Sequence, residues 1–253
     1  MNLKPLVVFT LATALPLAVH GQAETAAADE SKAGNWQGEA ELGVLITSGN
    51  TEETNIKSRL ALKHEVEKWR NTGEFRSGYA EAEDVTTSEK YRLELESDYK
   101  FADRQYWFVR AFYEDDRFSG FEYQSSLTTG YGNRVWAEGD RSFLDLSAGA
   151  GYRFDRLDTP DQNGDRDRNE TIARVAGQYD QALSATALFR QTLSVEQGLD
   201  NGATVTESET SVQANVLGSL SMKATYRVQH LSDPPAGADK TDTEISVSLL
   251  YGF

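Results

Sequence analysis

The sequence predicts an all-β fold, an antiparallel transmembrane β-barrel of about twelve strands behind an N-terminal signal peptide. Three observations carry that prediction. Almost everything after Trp36 alternates apolar and polar residues with period 2. The connections between the alternating segments are by turns short and long. No later stretch approaches the roughly 20 apolar residues that a helical span requires.

At the N-terminus, Lys4 precedes an apolar run from Leu6 to Val19 broken only by Thr10, Thr13 and Pro16. A basic start, a short apolar run and small residues after it describe a secretory signal peptide over residues 1–23, cut after Gly21 or Ala23. Residues 24–35 are Ala-rich and polar without a period, and are expected to be a flexible periplasmic lead-in to a barrel over 36–253. The chain has no cysteine, which excludes a lipid-anchored lipoprotein and any disulfide staple. Loss of the signal removes one of the 25 basic residues, so 24 basic groups face 40 acidic ones, a net charge of -16. That balance excludes a nucleic-acid partner, because phosphate binding needs a basic face.

The first segment carries Trp36, Gly38, Ala40, Leu42, Val44 and Ile46 on one face and Gln37, Glu39, Glu41 and Gly43 on the other. The last sets Thr243, Ile245, Val247, Leu249, Tyr251 and Phe253 against Asp242, Glu244, Ser246 and Ser248. Ten more fall at 54–66, 72–81, 89–101, 106–114, 122–135, 141–154, 171–179, 185–197, 204–216 and 221–230. Most are 9–14 residues long, the length of a tilted strand crossing a bilayer. Connections after even-numbered segments are short (67–71, 102–105, 136–140, 180–184, 217–220), and those after odd-numbered ones are mostly longer and polar, up to sixteen residues at 155–170. Short periplasmic turns and longer outer loops have that asymmetry.

The two faces differ sharply in charge. Only Glu81 and Glu89 are charged on the apolar faces, and both lie beside an outer loop. The opposite faces hold fifteen basic and fifteen acidic residues. Those expected to face the lumen include Lys57, Arg59, Lys63, Arg76, Arg92, Glu94, Glu96, Asp98, Arg110, Arg174, Arg190 and Arg227. A midplane Arg or Lys turned to lipid would cost about 2–4 kcal/mol. Trp36, Trp69, Trp107 and Trp136 all fall at periplasmic strand ends, where an amphipathic ring suits the membrane interface. A soluble barrel or sandwich could bury the same apolar faces, but would have to account for thirty charges on the other side and tryptophans at one end only.

The opening hairpin reads Trp36-Gln37-Gly38-Glu39-Ala40-Glu41-Leu42-Gly43, followed by Thr47-Ser48-Gly49-Asn50-Thr51. This resembles the YdiY-like family of salt-induced outer-membrane proteins, which begins with a W-x-G-x-x-x-x-G strand and a T-S-G-N-T turn. The aromatic Tyr251-Gly252-Phe253 end and the chain length agree with it. The resemblance implies an outer-membrane barrel with no established catalytic residue or cofactor. Physically, Gly49-Asn50 tolerates positive φ at a hairpin tip, which needs no ligand.

Two stretches suggest chemistry. His230-Leu231-Ser232 has the His-x-Ser spacing of outer-membrane phospholipase at the outer end of a strand, but Asp233-Pro234-Pro235 follows at once and the rest of that enzyme's signature is missing. In the longest outer loop Asp161, Asn163, Asp165 and Asp167 recur at every second residue, a spacing of oxygen ligands that suits calcium. Arg166 stands where the helix-flanked calcium loop requires glycine, so a solvated acidic loop is the simpler reading. The outer loops sum to about -10, which fits solubility at the cell surface, cation-bridged contact with anionic lipopolysaccharide, or concentration of cations at a pore mouth under salt stress. Expected partners are therefore outer-membrane lipid, lipopolysaccharide and the barrel-assembly machinery. The expected function is non-enzymatic: a narrow diffusion pore or structural envelope protein linked to salt stress, against a lipid hydrolase or a cation-dependent surface-binding module.

Overall fold

The computed structural model describes residues 35–47, 53–139, 141–161, 164–200 and 202–253. The expected signal peptide and all but the last residue of the lead-in lie outside them, as do residues 48–51 of the T-S-G-N-T turn and Asn163. The described chain forms twelve strands: β1 (Asn35–Thr47), β2 (Glu53–Glu65), β3 (Trp69–Ala82), β4 (Val85–Ala102), β5 (Gln105–Asp116), β6 (Phe121–Glu138), β7 (Ser142–Leu157), β8 (Asp167–Ala182), β9 (Ala187–Gly198), β10 (Thr204–Leu217), β11 (Leu220–Leu231) and β12 (Thr241–Gly252). Each pairs antiparallel with its sequence neighbours, and β1 with β12, so the sheet closes on itself. All twelve segments of the alternation are strands.

The strands are longer than the alternation suggested, 12–18 residues against 9–14. The excess comes out of the outer loops and out of the short turns as well. The supposed sixteen-residue loop shrinks to residues 158–166, because Asp155↔Arg168 and Arg156↔Asp167 continue the ladder. Charged residues in a water-facing strand extension do not alternate with apolar ones, so period 2 could not register them. Between β3 and β4 the turn is only Glu83-Asp84, with φ of 49° and 61°. Two left-handed residues form the hairpin turn whose twist matches the flanking strands, here made without glycine.

The interior is inverted relative to a soluble protein. Among the described residues, six apolar or aromatic side chains are buried, whereas seventeen polar or charged ones are. Leu42, Leu60, Leu95, Val109, Leu127, Val175, Leu193 and Val247 instead stand exposed on the outer wall. An apolar exterior around a charged interior requires hydrocarbon outside, and closure pairs the strands within it except along part of the β1–β12 seam. The soluble alternative is thereby removed.

An aromatic belt rings the end of the barrel at which β1 begins and β12 ends. Trp36 lies against His64 (ring centroids 4.5 Å), Trp69 against Tyr99 (5.2 Å), Trp107 edge-on to Tyr131 (6.0 Å) and Trp136 against Tyr179 (6.0 Å). On the inner wall of the same half, rings from β5 lie against glycines of β6 and β7. A Cβ on Gly132 would come within 2.2 Å of the Tyr106 ring, and one on Gly149 within 2.9 Å of Phe108 and 2.4 Å of a backbone oxygen. Only glycine lets these strands approach so closely beneath the rings.

Candidate functional site: an ion-paired lumen

Because every second residue of each strand points inward, the long Arg, Lys and Glu side chains of the whole circle converge on the axis. The central contact joins opposite walls. Arg92 on β4 donates through Nη1 and Nη2 to the two carboxylate oxygens of Glu207 on β10, at 2.5 and 2.7 Å. These strands stand six apart in a ring of twelve. Glu114 lies 3.4 Å from the same guanidinium, and the Phe112 ring lies 4.6 Å from its central carbon. A fork-to-fork geometry with a supporting ring is how two buried charges offset their lost hydration.

Around this pair the remaining charges form two clusters. On one side Arg110 holds both oxygens of Glu94 (2.8 and 2.9 Å) and reaches Glu196 at 3.3 Å. Glu196 also receives Arg174 (3.3 Å) and Arg153 (3.7 Å), and Arg153 holds Glu170 at 3.0 Å. On the other side Glu209 collects Arg76 (2.8 Å), Arg227 (2.5 Å) and Lys223 (3.9 Å). Arg59 joins Glu39 (2.8 Å), Glu74 (2.7 Å) and Glu41 (3.6 Å). Side chains from strands far apart in the circle thus cross the axis instead of lining an open tube.

The outer half keeps space on both flanks of the bridge. A cavity of about 400 Å³ is bounded by β1–β4 and β10–β12, with Lys57, Arg59, Arg227, Glu244 and Ser246 on its wall. A second, of about 30 Å³, lies against β5–β7, β9 and β10. Both touch Arg92 and Gln229, which stand between the two cavities, and Glu207 borders the smaller one. The small one is water-sized and has Ser126, Arg153 and Asp155 on its wall. In the periplasmic half Tyr106, Phe108 and Leu250 are buried, and Arg70–Asp98 (2.6 Å), Arg134–Asp145 (2.8 Å) and Arg190–Asp180 (2.6 Å) pair around them.

Of the twelve side chains assigned to the lumen from the sequence, Arg92 forms the central pair, and Arg59, Arg76, Glu94, Arg110, Arg174 and Arg227 fall in the two clusters around it. Lys57 pairs with Glu244 at 3.0 Å, and Asp98 and Arg190 lie in the lower layer. Lys63 sits by Glu65 (2.5 Å) near the periplasmic rim, and Glu96 stands in register with Thr72 and Arg110. Four partners fell outside the segments drawn from the sequence: Arg70, Asp155, Glu170 and Asp180. Each continues the inward parity of its strand, Arg70 with Arg76 and Glu170 with Arg174, so extending the alternation by one or two positions finds them.

The chemical candidates are engaged elsewhere. His230 meets Thr241 Oγ1 through Nδ1 at 2.8 Å, while Ser232 Oγ accepts the backbone N–H of Thr204 at 2.8 Å. Both contacts tie strand ends. In the acidic loop Asp161 Oδ1 accepts the backbone N–H of Asp165 (3.0 Å), and Asp167 lies 3.6 Å from Arg156. Among the described residues no group of three or more His, Asp or Glu is arranged to hold a metal ion.

Comparison with known proteins agrees with this architecture. The chain is 26% identical over 221 residues to the uncharacterized protein YdiY of Escherichia coli, covering 86% of this chain and 83% of the relative. The translocator domain of the autotransporter NalP from Neisseria meningitidis superposes with a TM-score of 0.50 at 12% identity, over 86% of each chain. An outer-membrane channel from Pseudomonas putida superposes with a TM-score of 0.50 at 11% identity, over 92% of this chain and all of that one. These likenesses are of fold, and with the apolar exterior they place the protein in the outer membrane. The family described as "Protein of unknown function, DUF481" matches residues 40–253, and the chain belongs to it.

Proposed function

We propose that this barrel is a non-enzymatic envelope protein acting as a narrow pore, held near closure by its own interior ion pairs. The observation that carries the reading is the Arg92–Glu207 pair, which joins opposite walls at 2.5 and 2.7 Å. Acids and bases meet on the axis in nearly equal numbers, so only water and small ions would pass, with weak charge selection. A link to salt stress would act at the outer mouth, where Arg117–Glu89 and Arg156–Glu122 are exposed to the ionic medium. The screening length falls from about 8 Å at 0.15 M salt to about 3 Å at 1 M, whereas buried pairs such as Arg92–Glu207 are screened far less.

Planar-bilayer recording of the purified barrel tests the proposal. Small discrete conductance steps are expected from the wild type, and larger ones from the double variant Arg92→Ala/Glu207→Ala. Absence of steps from the wild type at every salt concentration would remove the pore and leave a structural role.

A further inference from the structure

The barrel is not closed to the same depth all the way round. β1 pairs with β2 over thirteen positions, from Asn35↔Glu65 to Thr47↔Glu53, and β12 pairs with β11 over eleven. With each other, β1 and β12 pair over only four, from Glu39↔Gly252 to Leu42↔Leu249, and the Gly38–Phe253 backbone bonds (2.7 and 2.9 Å) add one more step at the periplasmic end. Just past the last pair the strands are still close: a Cβ on Gly43 would lie 3.4 Å from the Val247 oxygen. Beyond Gly43, Val44–Thr47 of β1 and Thr241–Ser246 of β12 run on as strands without each other as partners.

The parted edges lie in the outer half of the wall, with lipid on one side and the larger cavity on the other. Val44, Ile245 and Val247 are exposed outward, Ile245 at 77%. Gly43, Lys57, Thr243, Glu244 and Ser246 line the roughly 400 Å³ cavity on the inner side. One ion pair crosses the gap here: Lys57 of β2 reaches over β1 to Glu244 of β12 at 3.0 Å, with both side chains partly exposed (31% and 43%). Lower down, where the strands still meet, Glu41 accepts from Ser248 Oγ at 2.5 Å and lies 3.3 Å from Lys223.

An unpaired strand edge in hydrocarbon carries several kcal/mol per unsatisfied backbone group. A solute that brings hydrogen-bonding atoms to the edge and hydrocarbon to the bilayer removes that penalty. We propose that the unpaired outer half of the β1–β12 seam is a lateral portal, latched by Lys57–Glu244, through which an outer-leaflet amphiphile with a phosphate headgroup seats that headgroup in the cavity while its acyl chains stay in lipid. The anion would exchange with Glu244 for the Lys57 ammonium, with Arg59 and Arg227 on the same wall. This reading stands apart from axial conduction: a barrel sealed along its axis could still admit a headgroup from the side.

The test uses the full mature barrel in phosphatidylcholine vesicles doped with phosphatidylglycerol bearing a photoactivatable diazirine at the headgroup. Labelling is expected on inward residues of β2 and β12 around Lys57 and Ser246. Glu244→Gln opens the latch while keeping Lys57, and should raise that labelling several-fold. The chain has no native cysteine, so an oxidised Val44→Cys/Val247→Cys pair should shut the portal and abolish labelling, with recovery on reduction. Glu244→Gln decides the matter whether or not the disulfide forms. Labels confined to the apolar exterior in both the wild type and Glu244→Gln would overturn the proposal. So would interior labelling that survives the disulfide, or disulfide dimers of a single Val44→Cys chain, which would mean that a second copy occupies the edge.

Discussion

Arg92 and Glu207 meet from opposite walls of the barrel in a two-pronged ion pair, 2.5 and 2.7 Å long. Arg92 is 8% exposed, so its charge depends on that partner rather than on water. Removing one member of a buried pair strands the other, whereas removing both relieves the desolvation of each.

Glu207→Ala or Arg92→Ala alone should therefore destabilise the folded barrel by about 3–5 kcal/mol, and an apolar double replacement such as Arg92→Met/Glu207→Met should recover most of the loss. Urea unfolding in lipid vesicles, followed by tryptophan fluorescence, measures this. Equal losses in the single and double variants would contradict it.

Gly149 and Gly132 admit no side chain beneath the β5 rings. Gly149→Val places a carbon 2.4 Å from the Thr129 backbone oxygen, a clash that no ring flip relieves. At Gly132→Val the nearest atoms belong to the Tyr106 side chain, which can move. Overpacking typically costs about 1–3 kcal/mol, with Gly149→Val expected at or above the upper end and the more damaging of the two. The fraction of barrel that stays folded on unheated electrophoresis reports the order.

Phe253 closes the short β1–β12 ladder twice, through backbone bonds to Gly38 and through its ring over the same glycine. Phe253→Ala removes only the ring, while deletion of the residue removes both. Refolding yield into vesicles should fall for Phe253→Ala and fall further for the deletion.

The Glu83-Asp84 turn holds two non-glycine residues at positive φ. Left-handed backbone costs L-residues roughly 1–2 kcal/mol each, and Asn and Gly are the residues that relieve it. Glu83→Asn/Asp84→Gly should raise the unfolding midpoint without altering conductance. A lowered midpoint would show that the acidic side chains at this tip stabilise it by other means.

The sequence by itself determined the strand count, the up-and-down order, the charged face of every strand and the end at which the tryptophans gather. All of these follow from local alternation between two solvents, which each strand records separately. The T-S-G-N-T hairpin and the aromatic C-terminus added the family. Strand ends escaped it, as at Arg70, Asp155, Glu170 and Asp180, because residues near the water on both sides stop alternating. Two facts belong to the tertiary structure alone. That Arg92 meets Glu207, 115 residues away, depends on how far the closed sheet flattens and how long side chains cross the axis. That β1 and β12 part beyond Gly43 depends on how the circle closes, which only the last strand to pair can settle.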